Sequence, residues 1–66
     1  MTSLGEEYPK EQARCRELLT QYQEIGPPGR FGALMIEDML RRADEAAISG
    51  DVIAMIRLYE EMKESK

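Results

Sequence analysis

Cys15 is the only cysteine in the 66 residues, and the chain contains no histidine. General acid–base catalysis near neutral pH most often uses histidine, and a catalytic cysteine needs a base that activates it. Cys15 also lies on an apolar stripe at helical spacing, and unpaired cysteines are among the most buried residues in proteins. The sequence therefore predicts a core cysteine and no catalytic residue, so we expect the protein not to be an enzyme.

The 13 acidic residues do not form a pattern that would bind a metal or a substrate. Glu37-Asp38 and Glu60-Glu61 are adjacent in sequence, so their carboxylates diverge around a helix instead of converging on one ion. A lone thiol without histidine cannot build a structural zinc site. These carboxylates are typical of a solvated helix face, and we expect no metal and no cofactor.

Four of the five methionines fall on helical stripes, at positions 35, 39, 55 and 62. Such methionines either fill a core or form an adaptable binding surface, and the sequence leaves both interpretations open. So short a chain cannot bury all of them together with its aromatic and branched residues. We therefore predict a protein interface that includes Phe31, Met35, Met39, Met55, Leu58, Tyr59 and Met62.

The net charge of −4 opposes binding to phosphate backbones and to anionic membrane surfaces. The longest apolar run, Val52–Ile56, is far shorter than the ~20 residues of a membrane span. We expect a cytoplasmic protein that binds neither nucleic acid nor membrane. Because a core of this size is thin and no internal disulfide can form, self-association or partner binding is the remaining source of stability.

Residues 1–66 predict one small domain of the all-α class with three helices. Residues 1–7 are predicted to form a flexible lead-in. Pro9 is predicted to be the first residue of helix 1, about 9–25. Gly26-Pro27-Pro28-Gly29 must end that helix, because the prolines favour an extended backbone. This segment either presents Arg30 and Phe31 to a partner or acts as a stiff connector, and the connector is the more ordinary role.

Helix 2, about 31–48, and helix 3, about 51–64, meet at an elbow around Gly50. Gly50 fits the left-handed conformation that ends a helix, and Asp51 can accept hydrogen bonds from the first free N–H groups of the next one. The pattern predicts that helices 2 and 3 form an antiparallel hairpin. Helices 2 and 3 carry wide apolar faces, whereas helix 1 carries a narrow one. Because helix 1 cannot cover both wide faces, we expect a two-fold dimer to bury the apolar surface that remains.

The stretch 43–64, ADEAAISGDVIAMIRLYEEMKE, resembles part of a single tetratricopeptide or pentatricopeptide repeat. The shared features are alanine before the turn and Gly50-Asp51 at the turn, followed by Ala54, Leu58-Tyr59 and the final Glu60-Glu61-Met62-Lys63. This resemblance implies the packing of an antiparallel helix pair and nothing about function.

The full-length pattern is a short polar start, a helix, Gly-Pro-Pro-Gly-Arg-Phe-Gly-Ala, residues 35–38 and the Gly50-Asp51 hairpin. In this pattern the chain is similar to small uncharacterised accessory proteins of transposable (Mu-like) phages and prophages. The resemblance implies a protein of the bacterial host cytoplasm that binds and modulates a host protein. It assigns no role to any individual residue.

These observations lead to two hypotheses about function. The first is a non-enzymatic protein–protein interaction module that self-associates through helices 2 and 3 as a homodimer and binds a bacterial protein. The alternative is a structural or regulatory subunit with no inhibitory role, which stays folded only inside a larger assembly.

Overall fold

The computed structural model describes residues 3–65, which form three α-helices. They are α1 (Leu4–Ile25), α2 (Arg30–Ser49) and α3 (Val52–Glu64), with a 3₁₀ turn at Pro27–Gly29 between α1 and α2. Each helix packs against both of the others. The prediction of an all-α protein with three helices is therefore confirmed.

The core is one cluster of buried side chains, to which α2 contributes more members than either neighbour. It contains Tyr8, Cys15, Ile36, Met39, Leu40, Ala43, Ala46, Leu58 and Met62. The α2 members recur at intervals of three and four residues, so they lie on one face of that helix. α2 is thus the central element, and α1 and α3 pack side by side on its apolar face.

The first helix begins at Leu4, five residues before the predicted start at Pro9. Pro9 lies inside the helix, although it cannot donate a hydrogen bond there. Packing outweighs this loss, because Leu4 lies against the core and the buried Tyr8 hydroxyl donates a 2.8 Å hydrogen bond to the carbonyl of Ala43. Residues 4–7, expected to precede the helix, are therefore helical. Residues 1 and 2 of the predicted lead-in lie outside the described range, and flexibility of the lead-in stays a prediction.

The proline segment ends α1 as predicted but is not extended, because Pro27–Gly29 form a 3₁₀ turn. The fixed φ of proline is compatible with that turn, which the Gly29 N–H closes by donating to the Gly26 carbonyl over 2.9 Å. Gly29 is buried against α1, where a Cβ would stand 2.3 Å from the Tyr22 carbonyl oxygen. The connection between α1 and α2 is thus tight and fixed by close backbone contact.

The elbow between α2 and α3 has the predicted geometry. Gly50 adopts the left-handed conformation at φ 70° and ψ 23°. The N–H groups of Gly50 and Asp51 donate to the carbonyls of Ala47 and Ala46, which satisfies the end of α2. The Asp51 carboxylate accepts from the Ala54 N–H over 3.1 Å, which caps the start of α3.

Replacing Gly50 with valine should lower the free energy of unfolding by about 1–2 kcal/mol, because a β-branched residue is strained at positive φ. A Cβ at this position meets no atom within 4 Å, so the strain comes from the backbone conformation alone. Gly50→Asn is the control, since asparagine tolerates this conformation better. Urea denaturation followed by circular dichroism measures both variants, and an unchanged midpoint for the valine variant would contradict the elbow geometry.

Candidate protein–protein interface

Three of the seven predicted interface residues lie in the core. Met39, Leu58 and Met62 are buried, and the Met62 side chain is 0% exposed. The expectation that a three-helix monomer would leave much of these side chains in water is wrong for these three, because they pack in the shared core, where Met62 lies beside Cys15 of α1. These three side chains therefore contribute to folding and are not part of the exposed surface.

The other four predicted residues reach the surface to different extents. Phe31 is 74% exposed and Met35 is 59% exposed. Met55 and Tyr59 are half-buried and pack against the edge of the core. The Lys63 ammonium lies 5.4 Å from the centre of the Tyr59 ring, an arrangement that partly covers this aromatic side chain. The structure brings Phe31 and Met35 together on one turn of α2 and places Met55 and Tyr59 on α3.

Phe31 and Met35 belong to a larger apolar area at the α1–α2 connection. We call it the loop patch, and it consists of Ile25, Phe31, Leu34 and Met35, each more than half exposed. Phe31, Leu34 and Met35 have the i, i+3, i+4 spacing that places side chains on one side of a helix. The tight 3₁₀ turn then brings Ile25, the last residue of α1, to the same end of the molecule.

The base of the loop patch is held by a close approach of α1 to α2. A Cβ at Gly32 would stand 2.8 Å from the Tyr22 ring, so only glycine lets that ring lie against the first turn of α2. This explains why glycine, a residue of low helix propensity, lies near the start of α2. The patch is therefore presented on a rigid support.

A second apolar area lies at the opposite end of the molecule. We call it the elbow patch, and it consists of Ile48, Val52, Ile53 and Ile56. Ile48 is 88% exposed and Ile53 is 68% exposed. Beside Ile53 an open groove of about 770 Å³ runs between α2 and α3, and Ala46, Ala54 and Leu58 contribute its apolar lining. None of these four exposed residues was among the predicted interface residues.

Charged side chains separate the two patches along α2. Asp38 pairs with Arg41 and Arg42, and Arg42 also donates to Glu61 on α3 over 2.9 Å. The hydrogen bond from Arg41, followed by that from Arg42, holds the pKa of the Asp38 carboxyl below its usual value. Phe31 and Ile48 are 17 residues apart on α2, which corresponds to ~25 Å of helix. The exposed apolar surface is thus divided between two ends of the molecule.

Cys15 is a core residue, as predicted. Its thiol donates to the carbonyl of Met62 over 3.8 Å, and burial raises its pKa above the ordinary value. The neighbouring Arg14 donates to the same carbonyl and to that of Ser65, over 3.0 Å in the second case, while Glu11 accepts from Arg14 over 2.8 Å. This cluster anchors the end of α3 to α1, and the raised pKa disfavours the nucleophilic thiolate.

Within residues 3–65 no three His, Cys, Asp or Glu side chains are grouped as metal ligands would be. No helix in that range is both long and apolar enough to cross a membrane.

The chain matches no protein-family model, no curated protein and no solved structure.

Proposed function

We propose that the protein is a non-enzymatic interaction module that binds another protein through the loop patch. The single observation that supports this most directly is the exposure of four large apolar side chains around one rigid turn. Contiguous apolar surface on a small domain is a common mark of a binding site. Aromatic and methionine side chains, here Phe31 and Met35, are enriched at the centres of such interfaces.

The support beneath the patch favours binding because it reduces the ordering that complex formation requires. Gly29 and Gly32 hold the start of α2 against Tyr22, and the two prolines restrict the connecting backbone. A surface that is already ordered loses less conformational entropy on binding than a mobile loop. Arg30 is exposed next to Phe31 and can supply hydrogen bonds at the rim.

The partner that we propose is a bacterial protein. Its support is the resemblance of the residue pattern to accessory proteins of transposable phages, which act on host proteins. In this proposal the module modulates the host protein by occupying part of its surface, and no chemical step is involved.

The test is purification of the tagged chain from bacterial cells, followed by measurement of its affinity for the captured protein. Phe31→Asp combined with Met35→Asp should weaken binding by about thirtyfold or more, which corresponds to ~2 kcal/mol at a central contact. Both positions are exposed, so the fold should persist, and circular dichroism checks this. Ile48→Asp at the opposite end is the matched control and should bind normally. Equal affinities for all three proteins, or no stoichiometric partner, would refute the proposal.

The alternative function, a structural or regulatory subunit of a larger assembly, is favoured by the presence of apolar patches at both ends of the molecule. Such a subunit would contact neighbours on two sides and would depend on them for its stability. Denaturation of the isolated chain separates the two functions. An interaction module unfolds cooperatively by itself, whereas an obligate subunit is unfolded until its neighbours are added.

A further inference from the structure

We propose that a second copy of this chain docks on the exposed side of α3, so that the two α3 helices lie antiparallel about a two-fold axis. The residues involved are Ile53, Ile56, Arg57 and Glu60, which we call the α3 outer face. All four are exposed, and their i, i+3, i+4, i+7 spacing places them on one side of the helix. This proposal goes beyond partner binding at the loop patch and does not depend on it.

Charge complementarity indicates a second copy as the occupant. Within residues 3–65, Arg57 and Glu60 form no ion pair or hydrogen bond, whereas nearby Arg42 is engaged by both Asp38 and Glu61. The α3 outer face therefore carries one cation and one anion that have no partner among the described residues and are separated by less than one helical turn. A surface with this composition is complementary to itself when it is turned by 180°.

The antiparallel arrangement brings these groups together. With the two-fold axis close to Ile56, the two Ile56 side chains meet at the centre of the contact. Ile53 of each copy then lies opposite the turn that carries Arg57 and Glu60 in the other copy. Arg57 of one copy and Glu60 of the other are offset by ~7.5 Å along the helices, a distance that the arginine and glutamate side chains can span together. Symmetry produces two such ion pairs around an isoleucine centre.

The contact is made by one helix from each copy, so it lies at the small end of stable interfaces, and we expect dissociation in the micromolar range. Sedimentation equilibrium of the full chain over a hundredfold concentration range tests it. Wild type should shift from 7.6 kDa toward twice that mass. Ile53→Asp should raise the dissociation constant at least tenfold, whereas Leu34→Asp in the loop patch should leave it unchanged.

Charge reversal tests the proposed ion pair between Arg57 of one copy and Glu60 of the other. Arg57→Glu and Glu60→Arg should each weaken the homodimer, because each places like charges opposite one another. An equimolar mixture of these two variants should associate again, since every pair in the mixed dimer is then a glutamate facing an arginine. General damage to the fold could not produce this recovery.

Three results would overturn the proposal. One is a single 7.6 kDa species at every concentration, which would leave the α3 outer face for a different protein. Another is a dimer that Leu34→Asp abolishes and Ile53→Asp does not, which would place self-association at the loop patch. The third is a mixture of charge-reversed variants that stays monomeric.

Discussion

Replacing Tyr8 with alanine should remove a large part of the stability of the fold. Tyr8 is buried in the core, and replacing a buried aromatic side chain with alanine costs about 3–5 kcal/mol. Domains are stable by roughly 0.05–0.15 kcal/mol per residue, which gives a chain of this size only about 3–10 kcal/mol in total. Urea denaturation followed by circular dichroism at 25 °C should therefore show a midpoint far below that of wild type.

Tyr8→Phe distinguishes the contribution of the aromatic ring from that of the hydroxyl group. The phenylalanine ring keeps the apolar contacts, whereas the hydrogen bond to the Ala43 carbonyl is lost and leaves a buried acceptor with one partner fewer. We expect a loss of about 1–3 kcal/mol, clearly smaller than for alanine. If Tyr8→Ala unfolded at the same urea concentration as wild type, the first two turns of α1 would not be packed on α2.

Replacing Met62 with alanine should have the second-largest effect, a loss of about 2–5 kcal/mol in the free energy of unfolding. Its side chain is completely buried where α1, α2 and α3 meet, so truncation leaves a cavity that the surrounding helices cannot easily fill. The same denaturation measurement applies. Because Met62 is near the end of α3, a large effect would also show that the last turns of this helix are part of the cooperative fold.

Met35→Ala is the matched control, because it removes the same side chain from an exposed position on α2. Exposed substitutions away from special features usually change stability by less than ~0.5 kcal/mol. Comparing the free energies of unfolding of Met62→Ala and Met35→Ala thus distinguishes a methionine of the core from a methionine of the loop patch. Equal losses for the two variants would contradict this division.

The elbow could be predicted from sequence because its chemistry is local. Gly50 and Asp51 each act on backbone groups within five residues, so the residue types alone indicate a helix end followed by a helix start. The start of α1 could not be predicted in this way. Pro9 normally marks the beginning of a helix, and the contact that extends α1 past it joins Tyr8 to Ala43, 35 residues away.

The candidate interface was predicted only in part, for a geometric reason. Periodicity shows that α2 and α3 have wide apolar faces, but it does not show which part of each face α1 covers. Phe31 and Met35 lie outside the covered part, whereas Met39 and Met62 lie within it. The large apolar residues of α3 left uncovered are Val52, Ile53 and Ile56, and their positions follow from the pattern once the buried side of the helix is known.

The position of Cys15 gives the protein an intrinsic probe of its own fluctuations. Its thiol is sealed between α1 and the end of α3, so an alkylating reagent can reach it only after those helices separate. Because the chain has no other cysteine, the rate of labelling reports that one opening event without any engineered tag. Native-state thiol labelling thus measures how often the unmodified protein exposes its interior, and how far a bound partner slows that motion.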